Sequence, residues 1–131
     1  MESRTASTGR DLMLAAGPGL DPEDTKLVVL ARTVRARTGA SEGAAVRDSD
    51  GRTYSAATVA LPSLRLSALQ AAVALAAASG VTSLEGAAIV SSSESPDLDG
   101  IRAVRDLSPA AAVYLCGPDG SLTSIDRGGG A

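Results

Sequence analysis

The chain has one cysteine, Cys116, and no histidine. A thiol nucleophile works with a neighbouring base, and none of the usual kind is present. Cys116 also sits in the apolar run Val113–Cys116, so it reads as a buried structural thiol. Carboxylates and hydroxyls remain. Glu94, Asp97 and Asp99 crowd around Pro96, a donor set suited to a hard cation. Acids in a first helical turn are equally expected from the helix dipole, so no metal site is assigned. Thr58, Ser67 and Asp97 are the candidate ligand-binding side chains, on condition that they converge on one pocket. Arg32, Arg35 and Arg37 read as a solvated helix face. The run Gly128–Gly130 lacks the strand-to-helix setting of a phosphate loop.

The elements that would position these residues can be read in order. Residues 1–20 are rich in Ser, Thr, Gly and Pro and predict a disordered leader. Asp21 can cap a helix that Pro22 opens, with Leu27, Leu30, Ala31 and Val34 at helical spacing and Gly39 as its stop. Ala44–Val46 and Thr53–Val59 flank the turn Asp48-Ser49-Asp50-Gly51 and predict a hairpin. Pro62-Ser63 starts a second helix running to Ser79. Its stretch Leu66–Ala78 has Gln70 as its only strongly polar side chain, so it should be buried on all sides. Gly86–Val90 read as a strand, and Ser95-Pro96 opens a third helix with Leu98, Ile101, Val104 and Leu107 on one stripe. Val113–Cys116 and Leu122–Ile125 close the domain as a hairpin, and residues 127–131 form a loose Gly-rich tail. The order α-ββ-α-β-α-ββ predicts an α/β fold: a three-layer α/β/α sandwich on a mixed five-stranded sheet, over residues 21–126.

Composition narrows the function. The length, 131 residues, suits one domain, and 44% of residues are hydrophobic but only 2% aromatic. The core must therefore be built from Ala, Val, Leu and Ile. A net charge of −3 gives no electrostatic footprint for nucleic acid, and the aromatic platforms that stack on bases are missing. No apolar run approaches a membrane span. Arg4 and Arg10 before Leu12–Ala16 make a weak signal-peptide pattern with too short an apolar run, and Met13 is an alternative start. One cysteine makes no internal disulfide, which leaves the cytoplasm as the expected location.

The segments Ser67-Ala68-Leu69 and Pro96-Asp97-Leu98-Asp99-Gly100 stand where the cytidine deaminase family carries Cys-Ala-Glu and Pro-Cys-x-x-Cys. The resemblance extends through Asp21-Pro22-Glu23, Gly43–Val46, Asp50-Gly51-Arg52, Ile101–Val104 and Val113–Leu115 with Asp119-Gly120. It implies the family's fold. It also implies, for active members, a zinc ion that activates water for attack on C4 of a pyrimidine and a glutamate that shuttles protons. Residue by residue, the zinc ligands become Ser67, Asp97 and Gly100, and the shuttle becomes Leu69. The Asn-x-Glu pair that grips ribose becomes Ala56 and Thr58, within one residue, which argues against nucleoside binding in the family's manner.

The resulting expectation is a catalytically inactive cytidine deaminase-like protein, without catalytic residues, metal or cofactor, acting as a scaffold, regulatory or assembly module. Active members associate through their central helices, so the resemblance implies a homodimer or homotetramer here, with room for another protein partner. An enzyme or nucleotide-binding protein that reuses the old cleft without zinc is the alternative. If the chain is an enzyme, it is a cytidine deaminase, a hydrolase of C–N bonds in cyclic amidines. A third reading is a generic α/β domain with an accidental likeness.

Overall fold

The computed structural model describes residues 20–128. The expected leader, the alternative start at Met13 and the end of the glycine tail lie outside the described residues. Leu20, assigned above to the leader, instead packs against the core.

Helix α1 (Pro22–Thr38) begins as its residues dictate: the Asp21 carboxylate accepts from Asp24 N at 2.9 Å, and Pro22 occupies the first turn. It ends at Gly39, whose φ of +68° is the left-handed conformation that closes helices. Strand β1 (Glu42–Asp48) follows and pairs antiparallel with β2 (Thr53–Ala57). At Gly43 a Cβ would strike Ala31 O and lie 2.8 Å from Arg35 Cβ. Glycine there lets α1 sit directly on β1.

A second, small hairpin pairs β3 (Val59–Leu61) with β4 (Leu64–Leu66) outside the main sheet. Helix α2 (Ala68–Ala78), strand β5 (Leu84–Ser91), helix α3 (Leu98–Leu107) and strands β6 (Ala112–Cys116) and β7 (Leu122–Asp126) complete the order. The main sheet runs β2-β1-β5-β6-β7. Only the β5–β6 pair is parallel, and α3 is carried on the crossover between its strands.

Alternation along the strands separates two cores. Ala44, Val46, Ala87, Ile89 and Val113 face α2 and α3. Ala45, Ala88, Val90, Tyr114 and Cys116 face Leu27, Val28 and Ala31 of α1. Both helical layers close on the sheet, giving the expected α/β/α sandwich with its mixed five-stranded sheet. Small strand residues suit this arrangement, because alanine lets helices approach the sheet closely enough for interior packing density.

Three expectations are corrected. The second helix starts at Ala68, not Ser63: Pro62-Ser63 is the two-residue turn of the β3–β4 hairpin. The strand expected over Thr53–Val59 stops at Ala57, and Val59 begins β3. Nor is α2 covered on all sides within one chain. Ala68, Leu69, Ala72 and Ala76 are fully buried, but Ala74, Ala77 and Ala78 are exposed and Leu75 is 47% exposed.

Candidate functional site

The starts of α2 and α3 meet above the sheet, and four of the singled-out residues sit at this junction. Ser67 is the N-cap of α2. Its hydroxyl accepts from Gln70 N at 3.0 Å while Gln70 Oε1 accepts from Ser67 N at 2.9 Å, a closed capping box. Asp97 is the N-cap of α3, with Oδ1 accepting from Gly100 N at 3.0 Å. Its second oxygen, Oδ2, is buried without a hydrogen-bond partner. Leu69 is fully buried, and a Cβ placed on Gly100 would strike Asp97 Oδ2 and lie 2.8 Å from Leu69 Cβ.

Zinc on such a framework requires about three side-chain donors. Leu69 and Gly100 have none, the Ser67 hydroxyl is a neutral oxygen already engaged in capping, and Asp97 offers one carboxylate. The residues present do not fit the metal. Among the described residues, no three His, Cys, Asp or Glu side chains come together as a metal-holding group.

Beside the junction a shallow cleft of about 130 Å³ opens at the carboxyl ends of β5 and β6. Open α/β sheets bind their ligands at such strand ends. Asp97 lines it, with Glu42, Ser91, Glu94, Cys116 and Ser124 among the others, and no basic residue does. Ser91 Oγ donates to Glu42 Oε2 at 3.0 Å, so part of the polar lining is already paired. Burial, reinforced by Asp119, pushes the Cys116 thiol up to about 12, which keeps it protonated and poorly nucleophilic at neutral pH.

The three candidate ligand-binding side chains do not converge. Only Asp97 reaches the cleft. Ser67 is spent on its capping box, and Thr58 Oγ1 accepts from Glu42 N at 3.2 Å and lies 3.3 Å from Ser41 Oγ. Sequence reasoning missed Glu42 and Ser91, which are register partners on β1 and β5. Their place at one end of the sheet follows from topology rather than from any local pattern.

A second polar cluster, also missed, lies on the α1 face. Arg47 Nη2 donates to Asp24 Oδ1 at 3.0 Å and Nε to Glu85 Oε1 at 3.1 Å, while Tyr114 Oη donates to Asp24 Oδ2 at 2.7 Å. Burial works against the Arg47 charge, but hydrogen bonds to Glu85 and Asp24 outweigh it and raise its pKa. Burial, then Asp24, pushes the Tyr114 phenol up to about 12. Apart from Arg47 Nη1, which is buried without a hydrogen-bond partner, these groups pair across α1, β1, β5 and β6, the arrangement of a structural pin between α1 and the sheet.

A family model described as cytidine deaminase-like matches residues 20–120. Among solved structures, a cytidine deaminase from Burkholderia pseudomallei is similar with a TM-score of 0.68 and 21% identity, over 78% of this chain and 90% of that one. A cytidine deaminase from Mycobacterium leprae is similar with a TM-score of 0.58 and 20% identity, over 75% and 89%. At these identities the likeness speaks for the fold. No curated protein sequence is significantly similar to the chain.

Proposed function

The chain belongs to the cytidine deaminase-like family, and we propose that within it this protein is a catalytically inactive member whose scaffold serves assembly or regulation. The observation that carries the reading is Leu69. It stands where the resemblance calls for the proton-shuttling glutamate, it is fully buried, and it packs at the start of α3. An alkyl side chain moves no proton, and beside it the Ser67 hydroxyl and one oxygen of Asp97 are taken up in capping the starts of α2 and α3.

The exposed apolar residues support an assembly role. Leu61 and Leu64 on the β3–β4 hairpin are 54% and 49% exposed, and Leu75 lies on the bare side of α2. Hydrophobic side chains left in water at a packed helix favour a covering partner, and a symmetric second copy is the commonest one. The expected state is a homodimer or homotetramer, and the single free cysteine is in keeping with a cytoplasmic setting. Light scattering on the purified protein tests this together with metal analysis. A dimeric or tetrameric mass that Leu75→Glu reduces, with zinc well below one equivalent, supports the reading; a monomer holding one equivalent of zinc refutes it.

The alternative, a ligand-binding protein that uses the old cleft without zinc, draws on Asp97 Oδ2, buried and unpartnered at a residue that lines that cleft. A thermal shift with cytidine, uridine or deoxycytidine in the presence of a chelator would favour it, and its absence would leave the assembly role.

A further inference from the structure

We infer that the apolar run Leu12–Ala16, which precedes the described residues, covers the flank of the sheet that α1 leaves open. The two faces of the sheet are unequally covered among the described residues. One carries α2 and α3, and the other carries α1 alone. The main sheet has five strands. At a spacing of about 4.8 Å they make a face roughly 20 Å across, and a helix about 10 Å wide covers about half of it. Helix α1 packs over β1, β5 and β2, which leaves β6 and β7 at its side. There Leu122 and Ile125 of β7 stand in register with Cys116 and Tyr114, and together with Ala112 they are only partly buried.

The place where the described chain begins points to this occupant. Leu20 packs into the same core cluster as Leu122 and Ile125, so the residues before it enter beside that flank. The sequence changes character at the right place. Residues 1–11 are mostly polar and include Arg10 and Asp11, but from Leu12 to Leu20 no side chain is charged or able to hydrogen-bond. Gly17-Pro18-Gly19 supplies turn chemistry between the run and Leu20. From Leu20 back to Leu14 the chain can span up to about 20 Å, enough to bring the run onto β7. The run is too short for a secretory h-region, and a partly covered apolar flank within reach gives it a place out of water.

The assembly reading, built on α2 and the β3–β4 hairpin, stands or falls separately. The chain has no tryptophan, so Leu14→Trp in the full-length protein reports on that position alone. Its emission should be blue-shifted, and acrylamide should quench it several-fold less than in a peptide of residues 1–20 with the same change. Adding Ile125→Asp on the proposed face should shift the emission to the red and restore quenching, whereas adding Leu75→Glu on α2 should change neither. Deleting residues 2–16 should lower Tm by roughly 5–10 °C. Emission of a fully exposed tryptophan in the folded protein, or emission that Ile125→Asp leaves unmoved, overturns the inference. If Ile125→Asp yields no folded protein, the deletion decides, and a Tm equal to that of wild type overturns it. Protection from quenching that is lost on dilution, together with a fall in mass by light scattering, would place the run on a second copy and overturn it too.

Discussion

Replacing Arg47 by methionine tests whether the Asp24–Arg47–Tyr114 pin holds α1 to the sheet. The Arg47 and Asp24 side chains are 11% and 13% exposed, so their charges are largely removed from water. Methionine keeps much of the aliphatic packing and removes the guanidinium, leaving the Asp24 carboxylate with the Tyr114 hydroxyl as its remaining side-chain partner. Removing one member of a buried pair costs about 3–5 kcal/mol. The bond from Tyr114 moves the figure to the low end, and Glu85, 48% exposed, adds little when freed. The expected loss is about 3 kcal/mol, a Tm drop of roughly 10–20 °C. Urea unfolding followed by circular dichroism reads it directly, since the chain has no tryptophan. Asp24→Leu/Arg47→Met should recover at least half of the loss, because no charge is then left alone. A single variant within about 1 kcal/mol of wild type, below the range for breaking a buried pair, would refute the argument. So would a double variant whose loss is the sum of the two singles.

Ala72→Glu should abolish folding, because Ala72 is fully buried between α2 and the sheet and an unpaired carboxylate there costs several kcal/mol; a soluble variant with a normal melt would contradict the core assignment. For acid stability, burial pushes the Asp48 carboxyl up, but the Arg52 and Asp50 amides and the Tyr54 hydroxyl outweigh it, and its pKa is held below the usual 3.8. A depressed pKa contributes stability that is present above the unfolded value and lost as pH falls through the folded one. Tm should therefore fall more steeply below about pH 3.8 in wild type than in Asp48→Asn, and identical profiles would exclude Asp48 as a source. Cys116, 5% exposed and protonated at neutral pH, should react with a thiol reagent only as fast as the protein unfolds; instant labelling of native protein would contradict its burial.

What the sequence revealed was local chemistry. Asp21-Pro22 and Gly39 bracket α1 because capping is decided within a few residues, and the apolar stripe of α3 marks its buried face at Ile101 and Val104, although Leu98 at the head of that stripe is 55% exposed. The β3–β4 hairpin escaped because three-residue strands carry no readable period, and Pro62-Ser63 suits a turn as well as a helix start. The exposed side of α2 escaped because an all-apolar helix marks no face as wet. The clusters were harder still: Asp24 meets Tyr114 across a separation of 90 residues, and Glu42 meets Ser91 across 49. No window along the chain joins them. The junction of Ser67, Leu69, Asp97 and Gly100 was legible only because a family pattern marked both segments, and Leu69 against Gly100 became visible only with the helices in place.

The central claim is that this scaffold has lost deaminase chemistry, and its most direct test is ammonia release from cytidine and deoxycytidine by the purified protein with zinc supplied. With Leu69 in the shuttle position and no fitting ligand set, the rate should equal that of buffer, with or without the metal. Zinc-dependent ammonia release that a chelator stops would contradict the account.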